Sequence, residues 1–385
     1  MKRLYELLAK FCPDGVEYKS LGDIGTSFIR GSGIKRDALS DGGIPCVRYG
    51  EIYTSYDIGF ERCRSHTTIE VARRGKSVEY GDILFAITGE SVDEIAKSCA
   101  YLGKEMCYAG GDIVIMKHNQ DPRYLSYALS TTEAQAQKSK GRIKSKVVHS
   151  SIPALRKIII PIPPLPVQKE IVRSLDGFTG LIDELEAELV ARRKQYEQYR
   201  EKLLTFGDEV EWKILSDVCV IKHGSDYKNF AAGPYPVYGS GGIMTYVDRY
   251  AYDASKIPSV LLPRKGSLDK IHYVEEPFWN VDTVFYTEID ASKTVPKFMY
   301  YYLLTVDLTR WGNVGGVPGL TQSRLNKIAV PHPPLAEQRR IVEILDKFDA
   351  LCNDETAGLR AEIAARRKQY EYYRERLLTF KKKAS

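Results

Sequence analysis

Two fragments set a carboxylate two residues ahead of a lysine: Glu17–Tyr18–Lys19 and Glu211–Trp212–Lys213. On an extended segment residues i and i+2 share a face, so each could present an acid beside an ammonium, a pairing that suggests a nuclease. Both fragments, however, occupy equivalent places just after a helix-like tail. A β-strand leading from helix to globular segment accounts for them better. Other catalytic signatures are missing. There is no N-P-P-[FY] motif with a cofactor-binding glycine loop, as adenine methylation would need, because the prolines at 163–164 and 333–334 follow no Asn. There is no G-x-x-x-x-G-K-[ST] loop for ATP. The expectation is a chain that catalyses nothing itself.

Cysteine and histidine chemistry is equally unpromising. Cys12, Cys46, Cys63, Cys99, Cys107, Cys219 and Cys352 are scattered without a C-x-x-C pair, which suits reduced thiols in a cytosol. The six histidines lack metal-ligand spacing, so no metal site is expected. The start, MKRLYELLAKF, is too short and too charged for a signal peptide, and no run reaches about 18 apolar residues. A cytoplasmic protein without a membrane partner is expected. Its 385 residues suggest two or three domains. Tyrosine, with 26 copies against 12 Phe and 3 Trp, suits faces that are both apolar and hydrogen-bonding. The formal charge of +6 permits nucleic acid without demanding it.

The elements that must carry any such faces are duplicated. PIPPLPVQKEIV (161–172) returns as PHPPLAEQRRIV (331–342), and ARRKQYEQYREKLLTF (191–206) returns as ARRKQYEYYRERLLTF (365–380). VEWKILSDV (210–218) matches VEYKSLGDI (16–24), and RLYELLAKF (3–11) reads as the tail of a further, truncated helix. Apolar residues recur at steps of four and three, with Arg192 the only interruption: Ile171, Leu175, Phe178, Ile182, Leu185, Leu189, Tyr196, Tyr199 and Leu203, on to Phe206. The second copy has Ile341, Leu345, Phe348, then Ile363, Tyr370, Tyr373 and Leu377. This 3.5-residue spacing predicts a coiled-coil seam, a spacer rather than a packing element. The second copy is four residues longer between its motifs, a stutter near 353–358.

Charge predicts the pairing. Residues 165–190 carry six acidic and two basic side chains and 191–206 carry two acidic and five basic; 335–363 and 364–385 repeat the pattern with seven and four, then two and eight. Parallel pairing sets like against like, so the helices should run antiparallel, returning Phe380 to residues 3–11. The fold class expected is α+β: two globular α/β-mixed domains separated by two long antiparallel coiled-coil helices, with pseudo-twofold symmetry as a circularly permuted repeat.

With the YGSGG turn at 238–242 and GLTQSRLNKI at 319–328, these features resemble the specificity subunit of type I restriction–modification systems over essentially the whole chain. The resemblance implies target recognition domains at 1–156 and 207–328, and conserved spacer helices at 157–206 and 329–385. It implies double-stranded DNA as ligand, each domain reading one half of a bipartite, asymmetric target. The helices would set the half-site spacing and dock two methyltransferase subunits, with two restriction subunits as further partners. This chain would bind no cofactor: S-adenosylmethionine belongs to the methyltransferase, ATP and Mg to the restriction partner.

Expected DNA contacts in the first domain are Arg30, Lys35 and Arg36 on a glycine-flexible loop, and Arg48 and Tyr49. A run around a glycine adds Lys138, Lys140, Arg142, Lys144 and Lys146, a density suited to phosphates. The second domain offers Lys222, His223, Tyr227, Lys228, Tyr238, Ser240, Arg264, Lys265, Arg310, Trp311, Gln322 and Arg324. The rival readings are a coiled-coil scaffold whose heads bind proteins without DNA readout, and a self-sufficient DNA-modifying enzyme.

Overall fold

A computed structural model of the chain describes residues 2–34, 36–139, 148–312, 319–353 and 357–383. Internal contacts divide the chain into unit 1, Met1–Glu184 with Ile363–Ser385, and unit 2, Leu185–Glu362. Helices used below are α1 (Lys2–Phe11), α2 (Pro122–Leu129), α3 (Leu165–Leu204), α4 (Pro296–Leu303), α5 (Leu335–Asn353) and α6 (Leu359–Leu377). Both α3 and α5 start where the proline-rich step stops. Pro164 O accepts from the Val167 and Gln168 amides, and Pro334 O from the Glu337 and Gln338 amides. Forty residues of α3 at about 1.5 Å each make it about 60 Å long.

Unit 1 centres on a five-stranded sheet in the spatial order Gly25–Arg30, Ile113–His118, Ile83–Ala86, Ser98–Tyr101 and Gly59–Phe60. Side chains alternate across it. Ile83, Phe85, Val114 and Met116 face a core shared with Tyr124, Leu125 and Leu129 of α2, Ile171 and Leu175 of α3, and Leu377 of α6. Leu84, Ala86, Ile113 and Ile115 face a second core with Val47, Ile52 and Tyr101. A further five-stranded sheet pairs Ile44–Val47 with Cys107–Ala109 in parallel.

The chain's two ends meet inside unit 1. Leu4 of α1 shares the core with Leu377 and Leu378. The Val16 amide donates to Lys381 O at 2.8 Å, the Lys383 amide to Val16 O at 3.0 Å, and the Tyr18 hydroxyl to Phe380 O at 3.1 Å. Residues 2–18 thus pack beside the segment 377–383, the junction that antiparallel pairing predicts.

Unit 2 repeats the plan with shorter sheets: Cys219–His223, Val284–Ile289, Ser259–Pro263 and His272–Val274, then Gly242–Val247, Tyr235–Gly239, Pro277–Asn280 and Tyr252–Asp253. Trp212–Ile214 pairs with Ala329–Pro331 in the register Trp212↔Pro331, matching Tyr18↔Pro161 in unit 1. The lysines of the two carboxylate–lysine fragments lie on these strands, and Glu17 and Glu211 immediately precede them. Glu17 pairs with Lys19 at 3.1 Å and Glu211 with Lys213 at 3.7 Å, so acid and amine satisfy each other.

Within unit 2 the helices run antiparallel. Leu203 and Leu204 near the end of α3 cluster with Ile341 and Leu345 near the start of α5. Tyr196 and Tyr199, earlier on α3, have ring centroids 6.2 and 5.3 Å from Phe348, later on α5. Within unit 1, Phe178 of α3 stacks on Tyr373 of α6 at 5.1 Å. Of the seam residues, Ile171, Leu175, Ile182, Ile341, Leu345, Ile363 and Leu377 are buried. Phe178, Leu185, Leu189, Tyr196, Leu203, Phe348, Tyr370 and Tyr373 are half-buried, and Tyr199 is exposed apart from its ring contact.

Two expectations need correction. The first turns of α3 are a packing element, because Val167, Ile171, Val172 and Leu175 lie in the unit 1 core. The second long helix is two helices in the described residues, α5 ending at Asn353 and α6 starting at Leu359. The four extra residues fall at this junction, of which 354–356 lie outside the described residues.

Candidate nucleic-acid interface

The two heads share a backbone frame that their sequences conceal. Arg30 stands opposite Val114, and His223 opposite Phe285. Ala86 stands opposite Ile113, and Pro263 opposite Val284. The Gly110 amide donates to Val47 O and the Val281 amide to Tyr238 O, both at 2.9 Å. The Ser150 amide donates to Ile87 O, and the Leu320 amide to Arg264 O. Position by position, then, Arg30 matches His223, Tyr49 matches Ser240, Ile87 matches Arg264, Thr88 matches Lys265 and Ile152 matches Gln322. The next residue after Arg30 and after His223 must be glycine. A Cβ on Gly31 would lie 2.1 Å from Gly110 O, and one on Gly224 would lie 2.2 Å from Val281 O.

In unit 1 the frame gathers Arg36, Arg48 and Tyr49 around a cavity of about 400 Å³ that also contacts Gly110, Gly111 and Asp112. Arg30 joins its edge, donating from Nε to Gly111 O at 3.2 Å and from Nη2 to Asp112 at 3.4 Å. Arg48 is held at a helix start, its amide donating to Glu51 at 3.1 Å, while Ser65 Oγ donates to the other Glu51 oxygen. Sequence reasoning missed two neighbours, Thr88 and exposed His149, whose Oγ1 and Nδ1 lie 3.1 Å apart. Neither sits in a cation run, and only strand pairing brings them together.

Lys138 is a correction. It is 5% exposed and donates to Leu129 O at 2.8 Å and Ser98 Oγ at 3.3 Å. Burial brings its ammonium down to about 7, and Lys97 adds repulsion. Its aliphatic stem continues the apolar face of the helix Thr132–Lys138, so it is drawn inward. Lys35, Lys140, Arg142, Lys144 and Lys146 lie outside the described residues.

In unit 2, His223 Nε2 lies 3.1 Å from Gln322 Oε1, and Gln322 Nε2 donates to Ile221 O at 2.9 Å. The Phe285 ring carries the His223 ring at 4.9 Å and the Arg264 guanidinium at 5.9 Å. Arg264 Nη1 donates to Asp282 O at 3.0 Å, and Lys265 reaches the Asp282 carboxylate at 3.6 Å. The Ser240 amide donates to Thr283 at 3.3 Å, beside this group. Lys222 pairs with Glu288, Lys228 with Asp226 and Arg310 with Asp307.

Four of the expected contacts are also tied into the fold, Tyr227, Tyr238 and Trp311 half-buried and Arg324 exposed. Tyr227 packs on the Val237 cluster, and Tyr238 sits edge-on to Phe278 at 6.0 Å. Trp311 packs against the unit 2 core, and Arg324 donates to Trp311 O and Gly312 O at 2.9 and 2.7 Å. Aromatic area is more stabilising against a core than in water, and each ring has one side covered while the rest stays accessible.

The heads are also fastened to the helices alike. Gln168 and Gln338, both fully buried, donate to Pro163 O and Pro333 O and accept from the Asp121 and Val295 amides. Asp176 accepts from Tyr127 and Arg123; Asp346 accepts from Tyr301 and pairs with Lys297. Burial first, and the carboxylate second, push both tyrosine hydroxyls well up, keeping them protonated donors.

Residues 13–192 and again 208–365 match the type I restriction modification DNA specificity domain. A putative type I restriction enzyme specificity subunit of Haemophilus influenzae is 34% identical over 252 residues, 59% of this chain and 65% of that protein. A type I restriction enzyme specificity subunit of Escherichia coli is 35% identical over 260 residues, 59% of this chain and 64% of that protein. The matched part thus spans just under two thirds of each relative. The crystal structure of a type I S subunit from M. genitalium shares the fold, with TM-score 0.58 over 94% of this chain and 96% of that one at 16% identity. No helix among the described residues is long and apolar enough to cross a membrane.

Proposed function

The chain belongs to the type I restriction–modification DNA specificity family, and from that premise we propose that it is the sequence-reading, non-catalytic subunit of a DNA-modifying complex. Residues 1–156 and 207–328 are the recognition domains, each reading one half of a bipartite duplex target. Residues 157–206 and 329–385 set the half-site spacing and dock two methyltransferase subunits, which carry S-adenosylmethionine. Restriction subunits, with ATP and Mg, complete the assembly. One observation carries this reading: a duplicated frame with matched hydrogen bonds presents Arg30, Tyr49 and Thr88 in one head where the other presents His223, Ser240 and Lys265. A frame kept while its polar side chains diverge suits two readers of different sequences.

The test is duplex-DNA binding and methylation by this chain assembled with methyltransferase subunits. Expected are a salt-sensitive affinity and one asymmetric bipartite target, with Arg48→Ala relaxing one half-site and leaving the other intact. Indifference to DNA, with heads that capture protein instead, would overturn the reading in favour of a scaffold. Methyl transfer by this chain alone would overturn its non-catalytic role.

A further inference from the structure

Both heads place a guanidinium on the same main-chain carbonyl, yet supply it from different strands. In unit 1 it is Arg30, at the end of the strand Gly25–Arg30, bound to Gly111 O and Asp112. In unit 2 that strand position is His223, and the arginine is Arg264, just past the strand Ser259–Pro263. Arg264 binds Asp282 O and lies 3.9 Å from the Asp282 carboxylate. Gly111 and Asp282 are equivalent, each two residues before the strand residues Ile113 and Val284. Where Arg264 stands, unit 1 has Ile87, 4% exposed. The arginine has changed strands, and its location relative to the frame has not.

A staple for the loop would need only one donor to the carbonyl. These groups keep more: a planar fork with unused N–H donors, and a carboxylate on the adjoining loop. That carboxylate bears on what the arginine meets. Beside a phosphate it would be repelled, and an Arg–Asp pair without net charge displaces few counterions. Beside a base pair both members have partners, since the guanidinium can donate to guanine O6 and N7 while the carboxylate accepts from cytosine N4. Lys265, sharing Asp282, adds the cation available for a phosphate in unit 2.

We propose that Arg30–Asp112 and Arg264–Asp282, whose guanidiniums meet one frame carbonyl and whose carboxylates stand one frame position apart, are base-reading pairs, each recognising one G·C pair in the major groove of its half-site. This rests on the DNA-reading function proposed above.

The experiment measures binding by the full chain assembled with methyltransferase subunits, over target variants and a series of salt concentrations. For Arg30→Gln the expected result is loss of about tenfold or more discrimination at one G·C position of one half-site, with the salt slope unchanged. Asp112→Asn relaxes the same position, which covers the case in which Arg30→Gln fails to fold. Arg264→Ile does likewise in the other half-site, and adding His223→Arg, which copies the unit 1 arrangement, restores the preference. A uniform loss over all sequences with the slope reduced by about one marks a phosphate contact and overturns the proposal. So does unchanged discrimination in both arginine variants, or failure of the His223→Arg rescue. If the unaltered chain shows no sequence preference at all, it is the DNA-reading function that fails.

Discussion

Gly31 and Gly224 answer to the same crowding by a carbonyl, yet the residues before them, Arg30 and His223, share no chemistry. The same contrast recurs across the heads: backbone hydrogen bonds correspond, while the side chains lifted off them do not. Backbone geometry is imposed by packing, which tolerates little change. Exposed side chains on that frame are free to follow a ligand. Two copies of one fold can therefore keep a common frame and diverge in what they recognise.

Unit 1 also buries a cation, Lys138. Among the described residues it is the only lysine in the buried set, so the comparison can be broken by pH. Folding holds its ammonium near 7 against 10.5 for a free side chain, so between those values the unfolded chain binds more protons. Stability of unit 1 should rise as pH goes from 7 to 10.5 and be flat below 7, by up to about 5 kcal/mol for an ideal shift of this size. Lys138→Met should remove that rise and raise stability at pH 7. Thermal melting of unit 1 from pH 6.5 to 10 checks this, and a rise that survives the substitution assigns it to another group.

The repeat was legible because helix and proline signals are local. PxPPLxxQ, the heptads and the ARRKQY motif each announce an element within a dozen residues, and the acid-to-base gradient indicated the direction observed in unit 2. The site was less legible. Arg30, Arg36, Arg48 and Tyr49 were found as cations and an aromatic near glycines, and the structure gathers them. Thr88 and His149 were missed because 61 residues separate them and only strand pairing joins them. Lys138 misled because a lysine in a basic run reads as solvent-facing, whereas its helix turns it inward. The place of α3's first turns in the core was hidden because seam and core residues are the same apolar types.

The shared frame makes the next largest claim. Gly31→Ala and Gly224→Ala should each cost about 3 kcal/mol, since backbone must move to admit the methyl. Hydrogen exchange should locate the loss in unit 1 for the first and unit 2 for the second. Tolerance of one substitution but not the other would show that the frames diverge at this loop.

The matched glutamines sharpen the comparison further. Replacing Gln168 or Gln338 by leucine keeps the volume but leaves a proline carbonyl and a helix N-cap amide buried without partners, at about 2 kcal/mol each. The two sites are not equal in their third partner. Gln168 Nε2 also donates to Gln120, which is half-buried and can turn toward water. Gln338 Oε1 also accepts from Thr294 Oγ1, which is 4% exposed and has no such escape. Gln338→Leu should therefore destabilise unit 2 more than Gln168→Leu destabilises unit 1, by about 0.5–1 kcal/mol. Adding Thr294→Val to Gln338→Leu should recover that difference, because the orphaned hydroxyl is then gone. Denaturant unfolding of the three variants and the unaltered chain measures it. Equal losses, or no recovery with valine, would mean that the amide and carbonyl alone hold each head to its helix.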